Sequence, residues 1–164
     1  MKEKTIENNG ILEIIDTSVE QTGTIVATSE ETLTNLNGGK LTISSGIIEN
    51  RTKTVIYNEG ELIVSGGNVD SCSNSSNYSY GIYNNSTGSI KVLGGTVNGS
   101  SNTINSSYSY GIYNNDEGII EITSGTVSSV CNSNRYGRSY ALYNNSIGNI
   151  KITGGLVSSS CIVK

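Results

Sequence analysis

Side-chain catalysis needs nucleophiles, acids and bases at defined spacings, and this 164-residue sequence offers few of them. It contains no histidine, so the commonest general base is missing. No Gly-x-Ser-x-Gly segment presents a serine nucleophile. Close carboxylates occur only as Glu30-Glu31, Glu59 with Glu61, and Asp116-Glu117. The last two pairs stand in equivalent turns two repeats apart, roughly 10 Å at the spacing of β-strands, too far for a tight dyad. Surface-turn carboxylates are the plainer reading. Cys72, Cys131 and Cys161 form no Cys-x-x-Cys, and without histidine they suggest no zinc set. No calcium-binding Gly-Gly-x-Gly-x-Asp nonapeptide occurs either. The sequence therefore predicts a non-enzymatic protein with no catalytic, metal or cofactor site.

The residues that recur are asparagine, tyrosine and aliphatic ones. Gly81-Ile82-Tyr83-Asn84-Asn85, Gly111-Ile112-Tyr113-Asn114-Asn115 and Ala141-Leu142-Tyr143-Asn144-Asn145 are copies 30 residues apart. Val55-Ile56-Tyr57-Asn58-Glu59 is a weaker copy, and Leu33-Thr34-Asn35 and Ile6-Glu7-Asn8 are eroded ones. Each copy leads to a glycine, at 10, 39, 60, 88, 118 or 148. Two residues later stand Leu12, Leu41, Leu62, Ile90, Ile120 and Ile150; four later, Ile14, Ile43, Val64, Val92, Ile122 and Ile152. Nine later stand Val19, Ile48, Val69, Val97, Val127 and Val157. The seventh position is Gly46, Gly67, Gly95, Gly125 or Gly155, with Thr17 the exception, which suggests a turn of positive φ. Apolar and polar residues alternate within each run, as in Ile90-Lys91-Val92, the period of a half-buried strand.

These columns predict an all-β fold: one β-solenoid domain over residues 1–164, with about six rungs of three short strands. The rungs start near residues 6, 33, 56, 82, 112 and 142. Variable spacing collects in Ser- and Asn-rich insertions, Ser71–Ser79, Ser100–Ser109 and Ser128–Ser139, expected to be loops. Asn8, Asn35, Asn58, Asn84, Asn114 and Asn144 share a column and are expected to hydrogen-bond along the rod as structural glue. Tyr57, Tyr83, Tyr113 and Tyr143 form an outward column that either stabilises the sheet or stacks on sugar rings. Tyr80, Tyr110 and Tyr140 have the opposite parity and are expected to help close the core. Cys131 and Cys161 should stack on adjacent rungs, as a disulfide or as two buried thiols; Cys72 falls one place out of that register. The outward series Glu13, Thr42, Ile63, Lys91, Glu121, Lys151 reads as scaffold chemistry.

The coil and its asparagine column resemble the right-handed parallel β-helix proteins of bacterial surfaces and pectin-degrading enzymes, over about residues 6–163. The resemblance implies that fold without the catalytic residues of the enzymes, and it implies an asparagine ladder at the turns. It also implies an extracellular, cell-surface or spore-surface location. Lys2-Glu3-Lys4 is not the start of a signal peptide, so export by another route, or a missing leader, is expected. The longest apolar stretches, such as Gly10 to Ile15, are too short for membrane insertion, and a net charge of −4 without a basic run argues against nucleic acid.

Two functions follow. In the first, copies of the protein stack head-to-tail into a fibre or coat, with Leu12, Ile14 and Val19 of one copy continuing Ile150, Ile152 and Val157 of the next. In the second, the protein is an adhesin or glycan-binding module that uses the tyrosine column and the Ser/Asn loops.

Overall fold

The computed structural model describes residues 5–74, 77–103, 106–133 and 136–163. It is all-β, with three parallel sheets of six strands wound into a β-solenoid. The first sheet holds β1 (Ile6–Asn8), β4 (Leu33–Asn35), β7 (Thr54–Asn58), β10 (Tyr78–Asn84), β13 (Ser106–Asn114) and β16 (Tyr136–Asn144). The second holds β2 (Ile11–Ile14), β5 (Lys40–Ile43), β8 (Glu61–Val64), β11 (Ser89–Val92), β14 (Ile119–Ile122) and β17 (Asn149–Ile152). The third holds β3 (Thr24–Ala27), β6 (Ile47–Asn50), β9 (Asn68–Ser73), β12 (Thr96–Thr103), β15 (Thr126–Ser133) and β18 (Leu156–Val163).

The inner columns form one dry core. Leu41, Ile43, Leu62, Val64, Ile120, Ile122 and Val127 are fully buried, and Leu12, Ile14, Ile150 and Val157 pack against them from the end rungs. The glycine column has the positive φ that its spacing predicts, from +70° at Gly95 to +83° at Gly46. It turns the chain between the second sheet and the third.

The asparagine ladder is continuous. Each Nδ2 donates to the Oδ1 of the next rung, from Asn8 through Asn35, Asn58, Asn84 and Asn114 to Asn144, at 2.7–2.8 Å. The same Nδ2 groups donate to turn carbonyls such as Gly88 O and Gly118 O, so buried backbone acceptors are satisfied too. A Cβ on Gly118 would stand 2.1 Å from Asn84 Nδ2, which explains the glycine after each asparagine.

Three expectations are corrected. Val19 is not a core residue or a rung-end contact, being 98% exposed. Its column is filled by Ile25, which pairs with Ile48, and Gly23 replaces Thr17 in the glycine column. The cause is an insertion in the first rung closed by Asp16, whose carboxylate accepts from Ser18 N and Gly23 N at 2.9 and 2.6 Å. Counting from a fixed glycine fails across it.

Tyr80 and Tyr110 do not enter the core. Gly81 and Ile82 both face inward, so strict alternation breaks there and Tyr80 turns out on the same face as Tyr83. Ring packing outside the sheet, not core entry, buries Tyr80 and Tyr110 to 9% and 7% exposure.

The Ser-rich segments are strands, not loops. In the last three rungs the first and third sheets extend together and press face to face as an arm, although residues 75, 76, 104, 105, 134 and 135 in these segments lie outside the described residues. Ser71 bonds Ser79 at 2.7 Å, Ser129 bonds Ser109 at 2.8 Å, and Ser107 donates to Ser101 O. A Cβ on Gly99 would stand 2.0 Å from Tyr110 O, so the sheets are too close for larger side chains. Serine is selected by space and supplies its own hydrogen bonds. Cys131 and Cys161 are partners on β15 and β18 and are joined by a disulfide with Cα atoms 4.5 Å apart. Cys72 is out of that column, aligned with Ser100, and is a free thiol.

Candidate ligand-binding face

The outer face of the first sheet carries a field of aromatic rings. Tyr57, Tyr83, Tyr113 and Tyr143 stack along the rod with centroids 5.2–5.5 Å apart and planes within 7–16°. Tyr80, Tyr110 and Tyr140 stack beside them at 5.1 and 5.4 Å, and Tyr78 stacks on Tyr108 at 5.2 Å. The first two columns interlock through edge contacts, such as Tyr80 to Tyr83 at 5.3 Å. Each contact contributes about 0.5–1.5 kcal/mol beyond area burial, so the field stiffens the sheet.

This stacking changes what the face can bind. Rings in the middle of a column spend both faces on neighbouring rungs and show a ligand only edges and hydroxyls. Open faces survive only at the column ends. Below Tyr57 the column continues as Thr34, and below Tyr80 as Thr54. A hollow lies at each of these steps.

The upper hollow, of about 290 Å³, is lined by Glu31, Lys53, Thr54, Tyr57, Tyr80 and Tyr83. The lower one, of about 260 Å³, is lined by Glu31, Thr34, Leu36, Tyr57 and Glu59. Tyr57 and Glu31 border both and make them one trough. Glu59 accepts hydrogen bonds from the Tyr57 hydroxyl at 3.2 Å and Asn85 Nδ2 at 3.1 Å. Desolvation, reinforced by the Glu59 charge, pushes the Tyr57 phenol up to about 12, so it stays a neutral donor at physiological pH. Burial likewise raises Tyr80 and Tyr83.

The trough offers aromatic faces, carboxylate acceptors, one lysine, and threonine and tyrosine hydroxyls. That set suits recognition of a hydroxyl-rich ligand.

The structure distributes the other sequence candidates elsewhere. Glu61 pairs with Lys40 at 3.5 Å, Lys151 pairs with Glu121 at 3.3 Å, and Asp116 and Glu117 are exposed in a turn. The asparagine column is interior from Asn8 to Asn114 and unavailable to a ligand there, and only Asn144 on the last rung is exposed. Glu31, Thr34, Lys53 and Thr54 were not legible as site residues. Their signal is negative: Thr34 and Thr54 are where an otherwise regular tyrosine column breaks. No family model matches this chain, and comparison with curated proteins and with solved structures finds no match to either.

Proposed function

We propose that this protein is a non-enzymatic β-solenoid of a cell surface that binds glycans in the trough below the tyrosine columns. One observation carries the reading: the tyrosine faces left open by inter-rung stacking, at Tyr57 and Tyr80, border the two hollows. Sugar rings present an apolar face and a rim of hydroxyls, and the trough presents aromatic faces with carboxylate acceptors nearby. The rigid rod holds these groups in place before binding, which lowers the ordering cost of association. Replacing Thr54 with Tyr extends the second column by one ring and fills the upper hollow. Binding to immobilised glycans should fall at least tenfold, with the melting temperature held or raised by the extra stack. Undiminished binding by a folded Thr54→Tyr protein would remove the trough as the site.

Head-to-tail stacking is the second reading, favoured by the unfinished ladder. Among the described residues, Asn144 Nδ2 donates to Gly148 O and meets no further asparagine, and Asn8 Oδ1 accepts only from Gly10 N. Docking would join them and continue Leu12, Ile14 and Ile25 from Ile150, Ile152 and Val157, with Ile25 taking the place first given to Val19. The rung outlines differ, however. β16 and β18 have 9 and 8 residues, whereas β1 and β3 have 3 and 4, so most of the arm edge would stay unpaired. That mismatch ranks stacking second. Electron micrographs at high protein concentration should accordingly show discrete particles; long filaments would reverse the order of the two readings.

A further inference from the structure

The lower hollow differs from the upper in charge and in its floor. Glu31 and Glu59 line it, and Lys53 borders only the upper one. Neither carboxylate is in a salt bridge among the described residues.

The floor is Thr34, 2% exposed, whose Oγ1 is the one buried side-chain polar atom among the described residues without a hydrogen-bond partner. An unpaired buried hydroxyl typically costs about 1–3 kcal/mol. It lies at a place bordered by two carboxylates and the open face of Tyr57. The combination asks for a ligand group that donates hydrogen bonds, carries positive charge and tolerates an aromatic face. A primary ammonium meets all three demands: it pairs with the carboxylates, donates to Thr34 Oγ1 and sits against the tyrosine ring. A neutral hydroxyl donates hydrogen bonds but carries no charge, and an anionic sugar is repelled.

We infer that the lower hollow, built from Glu31, Thr34, Tyr57 and Glu59, selects glycans carrying free amino groups, binding the ammonium of a glucosamine-type unit. This rests on the glycan-binding reading and adds its ligand class. The upper hollow then takes the adjoining sugar ring against the open face of Tyr80 and the edges of Tyr57 and Tyr83.

The test compares three hexamers by calorimetry at low ionic strength: β-1,4-glucosamine, its fully N-acetylated counterpart, and the plain glucose hexamer. The wild-type protein should bind the free-amine hexamer at least tenfold more tightly than either neutral one, and added salt should erode the difference. The Glu31→Gln, Glu59→Gln double variant should lose the preference, binding all three hexamers alike. Thr34→Val should weaken amine binding without lowering the melting temperature, a combination that a purely structural threonine would not produce. Equal affinity for all three hexamers, or a preference that survives the double variant, overturns the amine inference and leaves the glycan reading standing. If none of the three binds and no immobilised glycan is retained, both readings fall.

Discussion

Replacing Ile120 with Asp is expected to unfold the rungs around it, the largest effect of any single change considered for this chain. Ile120 is fully buried, with Ile90 below and Ile150 above it in the same column. The substitution removes a side chain whose burial contributes about 1.5–3 kcal/mol. It also puts a carboxyl where no donor can reach it, at a further cost of roughly 2–7 kcal/mol. The sum approaches the whole stability of an ordinary domain, about 5–15 kcal/mol. A solenoid contacts itself mainly between neighbouring rungs, so the damage should spread outward from β14. Hydrogen exchange should show lost protection in β11, β14 and β17, with the first three rungs retained longest. The neighbouring Glu121→Thr gives the contrast. Glu121 points outward and, among the described residues, holds only the solvent-facing pair with Lys151, so its loss should cost no more than about 1 kcal/mol. Similar responses at 120 and 121 would disprove the inward and outward assignment.

The second large effect is expected at Asn114→Leu. Leucine is close to asparagine in size, so the change tests hydrogen bonding more than volume. Asn114 accepts from Asn84 Nδ2 and donates to Asn144 Oδ1 and Gly118 O. Removing it leaves one donor and two acceptors short of a partner; Asn84 and Gly118 are buried and cost about 1–3 kcal/mol each, or roughly 2–6 kcal/mol together, whereas Asn144 is exposed to water. Chemical denaturation should report a loss of that size, and truncating the solvent-facing Asn145 should cost far less. An Asn114→Leu protein as stable as the parent would mean that the ladder is ornamental.

Most of the coil was legible because its constraints are local and periodic. A column of Ile, Leu and Val at fixed offsets can be read directly, and so can a glycine that needs positive φ. The misreadings all occurred where the period is interrupted. The insertion held by Asp16 shifts the frame, so Val19 takes the number that belongs to Ile25. Two inward residues in succession at Gly81 and Ile82 reverse the parity, which sends Tyr80 and Tyr110 outward. Serine-rich stretches suggest loops by composition, yet here a close approach of two sheets, seen at Gly99, requires small side chains. The site was the least legible part. Tyr57 and Tyr83 could be named as a possible face, but which ring faces stay free depends on stacking geometry. Glu31 and Lys53 reach the trough from strand connections whose course no repeat fixes.

The regularity of the last three rungs has a consequence for length. From Tyr80 onward all three sheets, the inner ladder and the arm contacts repeat at the same interval, for example Tyr80 with Tyr110 and Tyr140, or Asn84 with Asn114 and Asn144. One more 30-residue unit placed between two of these rungs would meet a matching surface above and below. It would disturb no turn and lengthen the molecule by one strand spacing, roughly 4.8 Å. The trough at Thr34 and Thr54 would keep its shape, because it lies below the repeating segment. The length of the rod is thus adjustable in small, equal steps while the trough stays unchanged.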